Sequence, residues 1–186
     1  YNDECVCTAL EALGIPASDS HLYCMNGCNQ IDIFGKSHMG LEDGEVNLAK
    51  VLEFALHDGD SMSGEKPELA AAPFGKPEDC ADFDEFLALY YKQLDFITDV
   101  TIESANACQR LFSQFAPNPI RSCLIEGCLE KGRDYTNGGP LYNDGQVLLE
   151  GIADTVDSLY AVEKLIYEEK KYTMAELLQA LRDNFE

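Results

Sequence analysis

The chain has 186 residues, 46% of them hydrophobic, and a formal net charge of −21. That apolar content suits a folded domain with a sizeable core and excludes a disordered chain. The acidic excess argues against nucleic acid or an anionic membrane surface as partner, because phosphates would be repelled, and no run of about 18 apolar residues offers a membrane span.

In chain order, Val6, Ala9, Leu10 and Leu13 recur at helical spacing, and Gly14-Ile15-Pro16 stops that short helix. Ser18-Asp19-Ser20 reads as a loop. The stretch 23–36 then runs from an alternating segment, Leu22 to Met25, into a turn at Asn26-Gly27. Cys28 follows at the tip. A Gly beside a Cys lets backbone or substrate approach closely, although a Cys in such a turn also packs well as a small hydrophobe.

Asp43 is a candidate N-cap for a helix with Val46, Leu48, Val51, Leu52, Ala55 and Leu56 on one face, closed by Gly59 at its C′ position. Residues 59–81 hold Gly64, Pro67, Pro73 and Gly75 and read as loop, with a short hairpin as the alternative. Asp58-x-Asp60 opens no calcium loop, because Ser63 and Leu69 stand at the sixth and twelfth positions.

The longest element begins at Asp82, with Glu85 completing a capping box. From Phe83 to Phe115 apolar residues recur every three or four places, an aromatic stripe expected in the core, and Pro117 and Pro119 end it. Residues 121–130 are short and mixed. Gly138-Gly139-Pro140 is a sharp turn, and Gly145–Leu149 predicts a buried strand. Ile152, Val156, Leu159, Val162 and Ile166 predict a helix ending near Lys170-Lys171. Thr173-x-x-Glu176 opens a last one.

Eight cysteines are present: Cys5, Cys7, Cys24, Cys28, Cys80, Cys108, Cys123 and Cys128. Their spacings repeat no zinc-knuckle pattern, and His21, His38 and His57 are scattered. Reduced, cytosolic thiols are the expectation, with a Cys-rich metal protein as the weaker option.

Several stretches together resemble one family. They are Tyr1-Asn2-Asp3-Glu4, Gly27-Cys28, Asn47-Leu48-Ala49-Lys50-Val51-Leu52-Glu53 with Asp58-Gly59, and Asp134. Gly138-Gly139-Pro140-x-Tyr142-Asn143, Gly151-Ile152-Ala153, Asp157-Ser158-Leu159, Glu168-Glu169-Lys170-Lys171-Tyr172 and Leu181-x-x-Asn184-Phe185 continue the series. In order and spacing they are similar to the middle of glycyl radical enzymes of the pyruvate formate-lyase-like and glycerol-dehydratase-like branch.

That resemblance implies an α/β fold, a ten-stranded α/β barrel wrapped in helices. Residues 1–186 would be a helix-rich part of it, with the Cys loop at about 23–36 and the glycyl radical domain outside this chain. It implies Cys28 as the thiyl radical position and a protein glycyl radical as cofactor, with no metal bound directly. A radical-SAM activating enzyme carrying an iron–sulfur cluster, the remainder of the enzyme, a second copy in a homodimer and a small-molecule substrate are the implied partners. The setting would be the cytoplasm of an anaerobic bacterium. The implied reaction is a lyase, acyltransferase or dehydratase chemistry that cleaves or eliminates at an activated C–H. An S–H bond suits it, since a radical can take its hydrogen and the resulting thiyl can take one from activated carbon.

Two departures stand out. Where dehydratase members carry a Glu base two residues after the Cys, this chain has Gln30, a neutral amide that cannot take a proton at neutral pH. The adjacent-Cys pattern of pyruvate formate-lyase is missing too, with Gly27 and Asn29 on either side. Asp32, His38, Glu42 and Asp43 are the nearby candidates for acid–base work. No Arg-Val-x-Gly-Tyr loop occurs in these residues, so alone they are expected to be silent and prone to associate. The alternative is a catalytically inactive split or truncated remnant serving as a folded assembly module.

Overall fold

The computed structural model describes residues 2–27, 30–38, 43–62 and 71–185. It divides into two compact units, Tyr1–Gly44 with Ser104–Val147, and Glu45–Glu103 with Leu148–Glu186.

The first unit opens with α1 (Asp3–Ala12), capped by the Asn2 side chain accepting from the Cys5 amide. The expected loop at 18–20 is instead the end of a helical turn, α2 (Ala17–Ser20), closed by the Asp19 and Ser20 amides donating to the Pro16 carbonyl at 2.8 and 2.9 Å. An antiparallel hairpin follows, β1 (Tyr23–Asn26) with β2 (Gln30–Ile33). Two further helical turns lie later in the unit, α5 (Pro119–Ser122) and α6 (Cys128–Lys131). The chain returns to the hairpin region at Tyr142, which forms a parallel bridge with Ser37.

The second unit holds most of the buried apolar residues. Strand β3 (Gly44–Asn47) pairs with β4 (Val147–Glu150), and α3 (Leu48–Leu56) follows β3 directly. The cap of α3 is therefore Asn47, whose side chain accepts from the Lys50 amide at 3.0 Å, and not Asp43. At its other end Asp58 takes the left-handed conformation, with φ 50°, and the Gly59 amide reaches back to the Phe54 carbonyl at 2.8 Å. Gly59 thus stands one place beyond C′, in a Schellman-type closure. Strand β4 is half-buried at its start and exposed at Leu149, not buried as expected.

The long helix α4 (Phe83–Phe115) runs 33 residues, about 50 Å at 1.5 Å per residue. Asp82 caps it by accepting from the Glu85 amide at 2.9 Å, and the Glu85 carboxylate closes on the Ala81 amide. Phe86, Leu89, Tyr90 and Ile97 are buried, but Leu111, Phe112 and Phe115 are exposed, so only the first part of the aromatic stripe is core. Beyond β4, α7 (Ile152–Val162) passes into a π turn at Glu163–Glu168, and α8 (Met174–Arg182) opens on the Thr173–Glu176 capping box. No helix is long and apolar enough to cross a membrane among the described residues.

Candidate functional site

The stretch around Cys28 is the hairpin β1/β2. Its register pairs Tyr23 with Ile33, Cys24 with Asp32, Met25 with Ile31 and Asn26 with Gln30. Residues 27–29 connect the paired ends. Cys28 and Asn29 themselves lie outside the described residues, as does Glu42.

Directly opposed residues share a face of an antiparallel pair, and faces alternate along each strand. One face of the hairpin therefore carries Cys24, Asn26, Gln30 and Asp32, and the other carries Tyr23, Met25, Ile31 and Ile33. The usual arrangement buries the apolar face. Here Ile33 is buried on the apolar face at 1% exposure, but Met25 is 43% exposed, and on the polar face Gln30 is 7% and Asp32 only 3% exposed, with Cys24 and Asn26 half-buried. The β2 half of the polar face next to the Cys turn is therefore buried along with Ile33.

Two groups of the polar face, Asn26 and Asp32, are paired. The Asn26 side-chain amide donates to Asp32 Oδ2 at 2.8 Å, and the Ser37 hydroxyl donates to Asp32 Oδ1 at 2.8 Å. Ser37 Oγ in turn accepts from the Ile33 amide at 3.1 Å. Burial, with the Asp32 charge beside it, pushes the Cys24 thiol up from its ordinary value. At the turn, Gly27 adopts φ +60°, and a Cβ there would lie 2.2 Å from Gln30 Oε1. The Gln30 amide thus occupies the space over the Gly27 Cα, so a side chain at 27 would be strained at that φ and would have to displace it.

The other acid–base candidates take separate places. His38 is 9% exposed, stacks on Tyr135 with centroids 5.4 Å apart, and neither ring nitrogen has a hydrogen-bond partner among the described residues. Burial holds it below the usual imidazole range, against the pull of Asp43, Asp32 and Asp134. Asp43 accepts from Gln109 Nε2 at 2.7 Å and from the Gln146 amide at 2.8 Å. Gln146 Nε2 donates to the Ile31 carbonyl at 3.0 Å, which ties β2 to the residue that holds Asp43. Asp43 is thus a structural acceptor and not a helix cap.

A second polar group braces the segment after β2. Asp19 accepts from the Tyr142 hydroxyl at 2.6 Å and from Lys36 Nζ at 2.9 Å. The hydrogen bonds from Tyr142 and Lys36 hold the Asp19 carboxyl below its usual value. Backbone bonds from Tyr142 to Lys36 and from His38 to Tyr142 complete the brace.

Sequence reading missed β2, the Asn26–Asp32–Ser37 set and this brace. The alternation Gln30-Ile31-Asp32-Ile33 was a signal for the strand, but the Asn26–Asp32–Ser37 set needs the strand register, and the brace joins Asp19 to Tyr142 over 123 positions. Among the described residues no three His, Cys, Asp or Glu side chains converge as a metal site, and the seven described cysteines are free thiols.

A family model described as pyruvate formate lyase-like matches residues 1–186. The (2S)-3-sulfopropanediol dehydratase of Klebsiella oxytoca is 31% identical over 100% of this chain and 22% of its own length. The structure of the hydroxyproline dehydratase of Clostridioides difficile, with trans-4-hydroxy-L-proline bound, superposes with a TM-score of 0.91 at 31% identity, covering 100% of this chain and 23% of that one. A glycyl radical enzyme from Archaeoglobus fulgidus gives 0.87 at 30% identity over 98% of this chain and 23% of that one. The chain spans under a quarter of the length of the relatives it matches. A helix-rich chain that matches over its whole length belongs to the pyruvate formate lyase-like family of glycyl radical enzymes.

Proposed function

We propose that this chain supplies the Cys28 turn of a glycyl radical enzyme, in which Cys28 carries a transient thiyl radical that starts bond cleavage in a small substrate. The observation that supports it is the hairpin: paired ends at Asn26 and Gln30, a glycine held at φ +60° before the Cys, and a polar face beside the turn that is buried along β2. The two strand pairs would then be part of a ten-stranded α/β barrel completed by the rest of a longer polypeptide. A radical-SAM activating enzyme and a second copy of the enzyme are the partners this reading entails.

A glycyl radical, borne elsewhere in the full-length protein, supplies the unpaired electron. The chain's own part is to present the Cys28 S–H so that its hydrogen can be given up and retaken as an atom, with no net oxidation of the thiol. Thiolate formation is not needed. What is needed is a fixed position, because atom transfer falls off steeply with misplacement, and an enclosure that keeps water from a reactive intermediate.

Gln30 shapes the reaction class. Its amide packs on Gly27 and can hold or orient a substrate oxygen, but it accepts no proton at neutral pH. The reaction is therefore not a dehydration that relies on a carboxylate two residues after the Cys.

The test is made on the activated full-length enzyme. Cys28→Ser abolishes turnover while the glycyl radical doublet in electron paramagnetic resonance stays intact. Substantial residual turnover in that variant sinks the assignment. Vicinal diols and hydroxyproline-like compounds, screened alongside, are turned over poorly. Efficient elimination of water from either would show that another residue supplies the base or that none is required.

A further inference from the structure

We infer that Asp32 is a positioning residue for the Cys28 turn, its carboxylate clamping Asn26, at the end of β1, to Ser37, beyond β2. The inference rests on the reading of Cys28 above, and its argument is geometric. Asn26 is the last paired residue before the turn and Gln30 the first after it. Each Asp32 oxygen has its own donor, Asn26 Nδ2 on one side and Ser37 Oγ on the other, both at 2.8 Å. Ser37 is itself fixed twice, by the Ile33 amide on its hydroxyl and by its bridge to Tyr142. The hairpin end is thereby tied to a braced segment and does not depend on strand pairing alone.

The cost of the arrangement argues for a purpose other than stability. Asp32 is 3% exposed, and no Lys, Arg or His nitrogen among the described residues lies within ion-pair distance of it. Burying a carboxylate against neutral donors is expensive, and an apolar side chain of similar volume is often as stable or more so. The register of four residue pairs already specifies the hairpin. Charge-assisted bonds to a carboxylate add what apolar packing cannot, a directional constraint on Asn26.

A clamp needs acceptor oxygens, whereas a base needs a titratable carboxyl. In Asp32→Asn the amide oxygen still accepts from Ser37, and the amide nitrogen donates to Asn26 once that amide has turned. In Asp32→Ala the acceptor shared by Asn26 and Ser37 is gone: the Ser37 hydroxyl falls back on the Ile33 carbonyl at 3.2 Å, and the tie between the two ends is lost.

The experiment uses the full-length enzyme. Turnover is measured per glycyl radical spin, and Cys28 alkylation by N-ethylmaleimide is followed in the unactivated enzyme by peptide mass spectrometry, with exposed Cys5 and Cys108 as controls. Asp32→Ala lowers kcat per radical about ten- to a hundredfold with KM little changed, the scale expected when a reacting group is misplaced by about an ångström. It also changes the Cys28 alkylation rate several-fold and leaves the controls alone. Asp32→Asn stays within about threefold of wild type on both readouts. Loss in Asp32→Asn equal to that in Asp32→Ala overturns the clamp, since the charge itself would then be in use. Wild-type turnover per radical in Asp32→Ala overturns it as well. If Asp32→Ala does not fold, Ser37→Ala decides: it reproduces the loss, or its wild-type turnover per radical refutes the inference. An active Cys28→Ser enzyme would instead remove the reading of Cys28, whereas an inactive one beside a normal Asp32→Ala would remove only the clamp.

Discussion

Gly27→Ala tests how tightly the Cys28 turn is packed, and its magnitude can be worked from two separate terms. The residue sits at φ +60°, where an L side chain costs roughly 1–2 kcal/mol. The new Cβ would also stand 2.2 Å from Gln30 Oε1 and 3.3 Å from Gln30 Cδ. Gln30 is buried, so its amide must leave its place or adopt a poor rotamer, at about another 1 kcal/mol. The full substitution therefore costs about 2–3 kcal/mol. In a Gln30→Ala background the second term is gone and only the backbone strain of roughly 1–2 kcal/mol remains. The four proteins of the cycle are compared by urea denaturation followed by circular dichroism, and a coupling of about 1 kcal/mol is expected. Equal costs in both backgrounds would refute the reasoning, because they would mean that Gln30 does not lie over Gly27.

Gly139→Ala adds a methyl where the backbone leaves no room for it. Its Cβ would meet the Arg133 and Asp134 carbonyl oxygens at 2.5 and 2.7 Å and Cys128 Sγ at 2.7 Å, and two of those three atoms are backbone. A loss of about 3 kcal/mol, or roughly 6–12 °C in a thermal melt, is expected, and Cys128→Ala recovers little of it. Asp134 gives a pH signature. Burial pushes its carboxyl up, but hydrogen bonds from the Thr136 side chain and amide, Ser122 and the Asn118 amide outweigh that and hold it below its ordinary 3.8. The folded state thus binds fewer protons there than the unfolded state. The contribution is complete above the unfolded value and is lost as pH falls through the lower folded one. Urea midpoints measured between about pH 5 and pH 2.5 should fall less steeply in Asp134→Asn than in wild type, and identical slopes would count against it.

Elements defined by local chemistry were legible in the sequence. The long helix announced both ends, with Asp82 and Glu85 at one and Pro117 at the other, and α8 announced its start at Thr173. Features that depend on distant partners were not. Asp43 looked like a helix cap because it precedes an apolar face. Its actual partners, Gln109 and Gln146, stand 66 and 103 positions away in the chain. The exposed end of the aromatic stripe was equally hidden, since periodicity shows which residues share a face and not what covers them. Ordered motifs made the family readable across the whole chain. The clamp was invisible because it needs the cross-strand register, which places Asp32 on the side of Asn26 and Gln30.

The distribution of buried polar groups bears on how such a site is built. Apart from Gln93 and Thr155, every buried polar residue described belongs to the first unit, the one that contains the hairpin. Phe86, Val46, Val51 and Leu52 put the large apolar burial in the second. Apolar packing is strong in sum but nondirectional, so it specifies a fold better than it specifies one atom's position. Hydrogen bonds add less net stability, yet each fixes a distance and an angle, and a stranded partner is heavily penalised. In the role proposed for Cys28, radical transfer to and from the thiol needs position more than it needs stability. A Cys turn held by Asn26, Gln30, Asp32 and Ser37 should accordingly be sensitive to the loss of single hydrogen-bonding atoms and tolerant of changes in charge. That is the pattern by which a clamped radical site differs from one built around a general base.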